Sequence, residues 1–95
     1  MPNTPPQTHE EIKAHFLGLL NQSQKNFQDA AVYHSCCVLE QYHARVGTPE
    51  HEEASQKVVE AFKGLLAHND YLVRAERAYA SVTEQIESVQ ARKDN

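Results

Sequence analysis

A single break in an otherwise helical pattern constrains the fold more than any other feature of this sequence. From residue 8 onward the only proline is Pro49, and it stands directly after Gly47 and Thr48. Glycine suits the left-handed conformation beyond a helix end, while threonine caps a helix and proline favours its first position. The segment therefore predicts an all-α chain in which two long helices reverse at residues 47–48.

Apolar residues at helical spacing lie on both sides of this break. The first run opens with a capping box from Thr8 to Glu11, after which apolar residues recur every three or four positions. We predict a single helical domain at residues 8–92, with helices at 8–46 and 49–91. Residues 1–7, which hold three of the four prolines, are predicted to form a flexible leader, and residues 93–95 a frayed tail.

Two polar stretches, at residues 21–25 and 68–70, leave two architectures open. Breaks there would give a compact four-helix bundle, whereas continuous helices would give an antiparallel helical hairpin that can dimerise into a bundle. Pairing residue i with residue 94 − i aligns the two apolar stripes and sets alanines opposite Phe62, which favours the hairpin. In this register Ser23 and Asn69 are the polar residues on the seam, where such residues can fix alignment.

The two helices carry more apolar residues than one seam can bury. A second stripe on the second helix is at heptad spacing, and further apolar residues lie off the main face of the first helix. These residues predict a face for self-association or for another protein, and a homodimer that completes a four-helix bundle is expected. The face consists of Val59, Leu66, Val73, Ala80, Val32 and Leu39.

Charge and composition argue against several classes of partner. Nine Lys and Arg against thirteen Asp and Glu give a net charge of −4, so a nucleic-acid partner is not expected. No apolar run approaches the roughly 20 residues of a membrane span, and no glycine motif for phosphate is present, so neither a membrane nor a cofactor is predicted. Two adjacent cysteines form no disulfide framework, which favours a cytoplasmic location.

One segment of the first helix carries side chains that bind metals. His34 and Cys37 lie three residues apart, and Glu40 and His43 form a Glu-x-x-His pattern like that of di-iron bundles. Further ligands would have to come from another helix or another chain. Because cysteine often behaves as a small buried hydrophobe, packing of Cys37 in the core is the favoured interpretation.

These observations predict a non-enzymatic protein–protein interaction module, such as a small adaptor, chaperone or inhibitor, that acts through an apolar helical face. No arrangement of nucleophile, base and oxyanion donors is evident. One alternative is a metal-binding helical bundle formed by oligomerisation. Another is a nucleic-acid-associated regulator to which Arg74 and Arg77 contribute.

Overall fold

The computed structural model describes residues 8–93 and contains two long α-helices, α1 (His9–His43) and α2 (Pro49–Lys93). They pack as an antiparallel hairpin, which confirms the predicted fold class. Both helices run without interruption through residues 21–25 and 68–70, so the chain does not fold as four short helices. The predicted leader, 1–7, and residues 94–95 of the predicted tail lie outside the described residues.

The start of α1 follows the predicted capping box. The Thr8 hydroxyl accepts a hydrogen bond from the Glu11 amide at 3.1 Å, and Glu10 and Glu11 place negative charge in the first turn. Thr8 is therefore the cap, and the first helical residue is His9.

The connection between the helices is longer than predicted. α1 ends at His43 rather than at residue 46, and Ala44 is already extended, with φ −80° and ψ 139°. The amide of Thr48 then donates to the carbonyl of Arg45 at 3.2 Å, and Gly47 has φ +88°. A turn with glycine at its third position needs four residues, so the chain must leave the helix before Arg45.

Thr48 closes this turn and also starts α2. Its hydroxyl donates to the Arg45 carbonyl at 2.6 Å and accepts from the His51 amide at 3.3 Å. Pro49 follows as the first residue of α2, as predicted. The far end of α2 reaches Lys93, beyond the predicted residue 91 and into the predicted tail.

A seam with alternating spacings of three and four residues joins the helices. This is the heptad spacing of a coiled coil, and it brings side chains of both helices into a shared, partly buried line. On α1 the seam residues are Phe16, Leu20, Ser23, Phe27, Ala30, His34, Cys37, Gln41 and Ala44. On α2 they are His51, Ala54, Val58, Ala61, Leu65, His68, Leu72, Ala75, Tyr79, Val82 and Ile86.

Small residues occupy every second position of this seam over much of its length. They are Ser23, Ala30, Cys37 and Ala44 on α1, and Ala54, Ala61 and Ala75 on α2, where His68 interrupts the series. Among the described residues the buried apolar side chains are Cys37, Ala54, Ala61 and Ile86. Small side chains let two helix backbones approach closely. The centre of the seam is therefore closely packed, but it buries little apolar side-chain volume.

Contacts across the seam define its register. The Gln41 amide donates to the Ser55 hydroxyl at 2.9 Å, and the ring centroids of His34 and Phe62 lie 5.7 Å apart. Each partner lies two residues farther along α2 than the rule 94 − i predicts. Helical side chains lean toward the N-terminus of their own helix, and in an antiparallel pair this tilt displaces side-chain contacts in the observed direction.

The hairpin is one helix thick. Its principal dimensions are 70 Å in length and 14 Å in thickness. Apart from the seam, both broad faces of the described helices are open. No helix within residues 8–93 is long and apolar enough to cross a membrane.

Candidate functional site

One broad face of the hairpin carries a line of exposed apolar side chains. In an antiparallel coiled coil, residues that follow equivalent seam positions on the two helices lie on the same face, and residues three or four positions from them on the same helix lie beside them. Phe62 follows Ala61, and Val38 follows Cys37, so both lie on this face. We name this surface the apolar flank and define it as Val59, Phe62, Leu66, Val73 and Ala80 of α2 together with Leu17 and Val38 of α1.

Side chains at the centre of the apolar flank are about half exposed. Val59 and Leu66 each expose 52% of their surface, and Phe62 exposes 47%. Val73 is half-buried beside Leu72, and Ala80 is exposed. The four α2 residues of the predicted face therefore lie together in one row.

Val32 and Leu39 occupy a different surface from this row. They expose 64% and 57% of their surface and lie seven residues apart on the outer edge of α1, opposite the seam. Val46, which is 81% exposed, lies in the turn beyond the end of α1. The six residues predicted as one face are thus divided between the flank and the outer edge of α1.

Phe62 belongs to the apolar flank, so its predicted position on the seam opposite the alanines is wrong. Ala61 takes the seam position and is only 6% exposed, while the Phe62 ring lies across the edge of the seam against His34. The same displacement affects the next turn, where His68 is half-buried in the seam and Asn69 is exposed. The regular spacing of Ala54, Val58, Ala61 and Leu65 was the sequence signal for this arrangement.

The opposite broad face is polar near the loop, whereas farther from the loop Leu19 and Tyr71, 46% and 59% exposed, line a second groove of about 530 Å³. Glu40 and Lys57 form an ion pair across the seam at 3.6 Å. Beside it runs an open groove of about 670 Å³ whose lining includes Asn26, Tyr33, Gly64 and His68. Hydrogen bonding to Cys37, one turn farther along α1, raises the pKa of the Tyr33 phenol, and electrostatic repulsion by the same sulfur adds to the effect.

The predicted metal ligands do not converge. Cys37 is 3% exposed in the seam, Glu40 pairs with Lys57, and His43 packs its ring against the edge of Tyr42. Four residues spaced three apart spread over about half the circumference of a helix, so His34 and His43 point in different directions. Within the described residues, no group of three or more His, Cys, Asp or Glu side chains could hold a metal ion.

These features define the protein as an antiparallel coiled-coil hairpin with a row of exposed apolar side chains along one broad face and a mixed polar and apolar opposite face. No protein-family model, curated protein or solved structure matches the chain. Function must therefore be inferred from the faces of the hairpin themselves.

Proposed function

We propose that this protein is a non-enzymatic protein–protein interaction module, such as a small adaptor, chaperone or inhibitor, and that the apolar flank is its binding surface. The observation that carries this proposal is the half-exposed row of Val59, Phe62 and Leu66 on one face. Single exposed apolar residues are common on protein surfaces, but a contiguous row at helical spacing is typical of an interface.

Burial of the apolar flank would contribute to association. Complete burial of a Val, Leu or Phe side chain contributes about 1.5–3 kcal/mol, so half-exposed residues retain roughly half of that for binding. Several such residues in one row would supply several kcal/mol before the entropy of association is subtracted.

Polar and charged residues border the row, as expected for an interface with an apolar centre and a polar rim. Lys63 and Asp70 lie one turn to either side of Leu66, and both are exposed. These charged side chains can stay in contact with water at the border of the flank, while the apolar centre loses its water on binding.

We include a cytoplasmic location in this proposal. Its support is the pair of free cysteines, Cys36 and Cys37, since unpaired thiols are typical of reducing compartments. Among residues 8–93, no contact supports either alternative function. The metal candidates point apart, and Arg74 is engaged with Asp70 of its own helix at 3.0 Å.

A charge placed in the apolar flank tests the proposal. Leu66→Lys should abolish the capture of bound protein by a tagged chain, because a lysine ammonium cannot be buried in an apolar contact without a large desolvation penalty. Ala67→Lys is the matched control, since Ala67 is exposed on the adjacent, polar side of the same turn. Capture is read by mass spectrometry of co-purified chains and by molar mass in light scattering.

Far-UV circular dichroism of both variants establishes that the helices persist. If Leu66→Lys retains the same bound chains and the same molar mass as the unaltered protein, the apolar flank is not the binding surface. If Ala67→Lys loses the same bound chains, the added positive charge explains the loss and the apolar flank does not.

A further inference from the structure

We propose that the occupant of the apolar flank is a second copy of this chain, related by a twofold axis that passes beside Leu66. In this arrangement α2 packs against the partner's α2 in antiparallel orientation, and the two loops lie at opposite ends of a four-helix bundle. The inference rests on the proposed function, because it takes the flank to be an interface.

The apolar row of α2 is self-complementary about Leu66. Val59 and Val73 lie seven residues before and after it. A twofold axis perpendicular to the helix reverses this order, so that Leu66 meets the partner's Leu66 and Val59 meets the partner's Val73. The same operation sets Phe62 over the partner's Asn69.

Charged residues along the outer border of the row obey the same symmetry. Lys63 and Asp70 lie on one side of the row, about equally far from Leu66 in opposite directions. The twofold axis therefore brings each Lys63 to the partner's Asp70, twice per dimer. One heptad farther out, Gln56 meets the partner's Arg77, so its side-chain oxygen can accept from a guanidinium.

These charges are free to take a second partner. Lys63 contacts Glu60 of its own helix at 3.4 Å, and Asp70 contacts Arg74 at 3.0 Å. All four side chains are at least 60% exposed, so their remaining hydrogen-bonding capacity faces water. A parallel alignment of two α2 helices would instead set Lys63 against Lys63 and Asp70 against Asp70, which like-charge repulsion disfavours.

The other face-to-face arrangement, with both loops at one end, matches the flank poorly. It would lay α2 on the partner's α1, where the register of the hairpin puts Asn21, Gln28 and Ser35 opposite the apolar row. Apolar side chains would then cover amides and a hydroxyl, leaving them without water.

The axis through Leu66 keeps the apolar row of α2 away from Asn21, Gln28 and Ser35 of the partner. It pairs α1 with the partner's α1 about Gln28, so that glutamine meets glutamine at the centre. Leu17 then meets the partner's Val38 toward each end, and each of these residues is 40% exposed in the single hairpin. Leu66 thus meets the partner's Leu66 on α2 and Leu17 meets the partner's Val38 on α1, while Phe62 lies over the partner's Asn69.

A charge swap tests this geometry. Lys63→Asp and Asp70→Lys each create two like-charge contacts in the dimer, and each should raise the dimer dissociation constant about tenfold. The double variant should return it to within about threefold of the unaltered protein. Sedimentation equilibrium at low salt provides the dissociation constants.

In the double variant, each introduced charge is still repelled by a neighbouring charge of its own helix. The carboxylate introduced by Lys63→Asp still faces Glu60, and the ammonium introduced by Asp70→Lys still faces Arg74. Recovery of the dimer can therefore only come from contacts between chains. Circular dichroism of the single variants shows whether helix content has changed.

A cysteine at the axis provides a second measurement. With the exposed Cys36 changed to serine, Leu66→Cys should form a disulfide between chains under mild oxidation, because symmetry brings this position next to itself. Ala80→Cys is the control and should not, since residue 80 lies about 20 Å from the axis along the helix.

The outcomes separate this inference from the proposed function. A dimer that weakens with each single variant, recovers in the double and crosslinks at position 66 supports the twofold arrangement. The inference is overturned if neither single variant changes the dimer dissociation constant. It is also overturned if the dimer crosslinks at position 80 but not at position 66. A monomer at all concentrations whose captured partner is lost with Leu66→Lys also overturns it and leaves the proposed function standing.

Discussion

The imidazole of His34 and the phenyl ring of Phe62 lie 5.7 Å apart between centroids, with an interplanar angle of 48°. His34 is half-buried in the seam of α1, whereas Phe62 belongs to the apolar flank of α2. The pair therefore connects the interior of the hairpin to its candidate binding surface. A change at Phe62 should affect both folding and association.

Phe62→Ala should lower the free energy of unfolding by about 1–2 kcal/mol. A fully buried phenylalanine loses about 3–5 kcal/mol on truncation to alanine, and Phe62 is 47% exposed. Urea denaturation at one fixed protein concentration measures the change. Tyr42→Ala is the control, because Tyr42 is 80% exposed and should shift the unfolding free energy by less than about 0.5 kcal/mol. Equal effects of the two variants would show that Phe62 makes no stabilising contact.

Ala61→Leu should destabilise the hairpin by about 1–3 kcal/mol. Ala61 is 6% exposed at a small position of the seam, so a larger side chain must push the helices apart or adopt a strained rotamer. Ala67→Leu adds the same atoms to the same helix at an exposed position and should change stability by less than about 0.5 kcal/mol. Thermal unfolding followed by circular dichroism compares the two. If Ala61→Leu is neutral or stabilising, Ala61 does not lie in the seam.

The fold was predictable because its signals are local. Thr8, Thr48 and Pro49 each act on the adjacent helix start, and their roles in the structure are those expected from their chemistry. The end of α1 was missed because it depends on the turn that follows. Gly47 does not terminate the helix directly but completes a turn that begins at Arg45.

It was harder to predict from the sequence which residues lie in the seam and which lie on the apolar flank. Either Ala61 or Phe62 continues the apolar spacing that starts at Val58, and hydrophobicity alone favours the phenylalanine. The structure places Ala61 in the seam because the spacing alternates between four residues, from Ala54 to Val58, and three, from Val58 to Ala61. His68 and Asn69 pose the same choice, and the alternation of three and four residues places His68 in the seam.

Two glycine substitutions should have opposite effects on stability. Gly47→Ala should destabilise the protein by about 1–2 kcal/mol, because φ at Gly47 is +88° and a Cβ atom is disfavoured there. Gly64→Ala should stabilise it by up to about 1 kcal/mol, since Gly64 lies within α2 and an added Cβ meets no atom within 4 Å. Chemical denaturation of both variants gives the signs. Stabilisation by Gly47→Ala would contradict the turn described for the loop.

The adjacent cysteines should differ sharply in reactivity. Cys36 is exposed on the outside of α1, whereas Cys37 is 3% exposed in the seam. A thiol reagent should therefore modify one sulfur per chain rapidly, and the second only when the helices separate, because a buried thiol must be uncovered before it can react. Titration with a chromogenic disulfide, first in buffer and then in denaturing urea, counts the two populations. Cys36→Ser should remove the rapid phase and Cys37→Ala should leave it intact. Rapid modification of both thiols in the folded protein would place Cys37 outside the seam and reopen it as a candidate metal ligand.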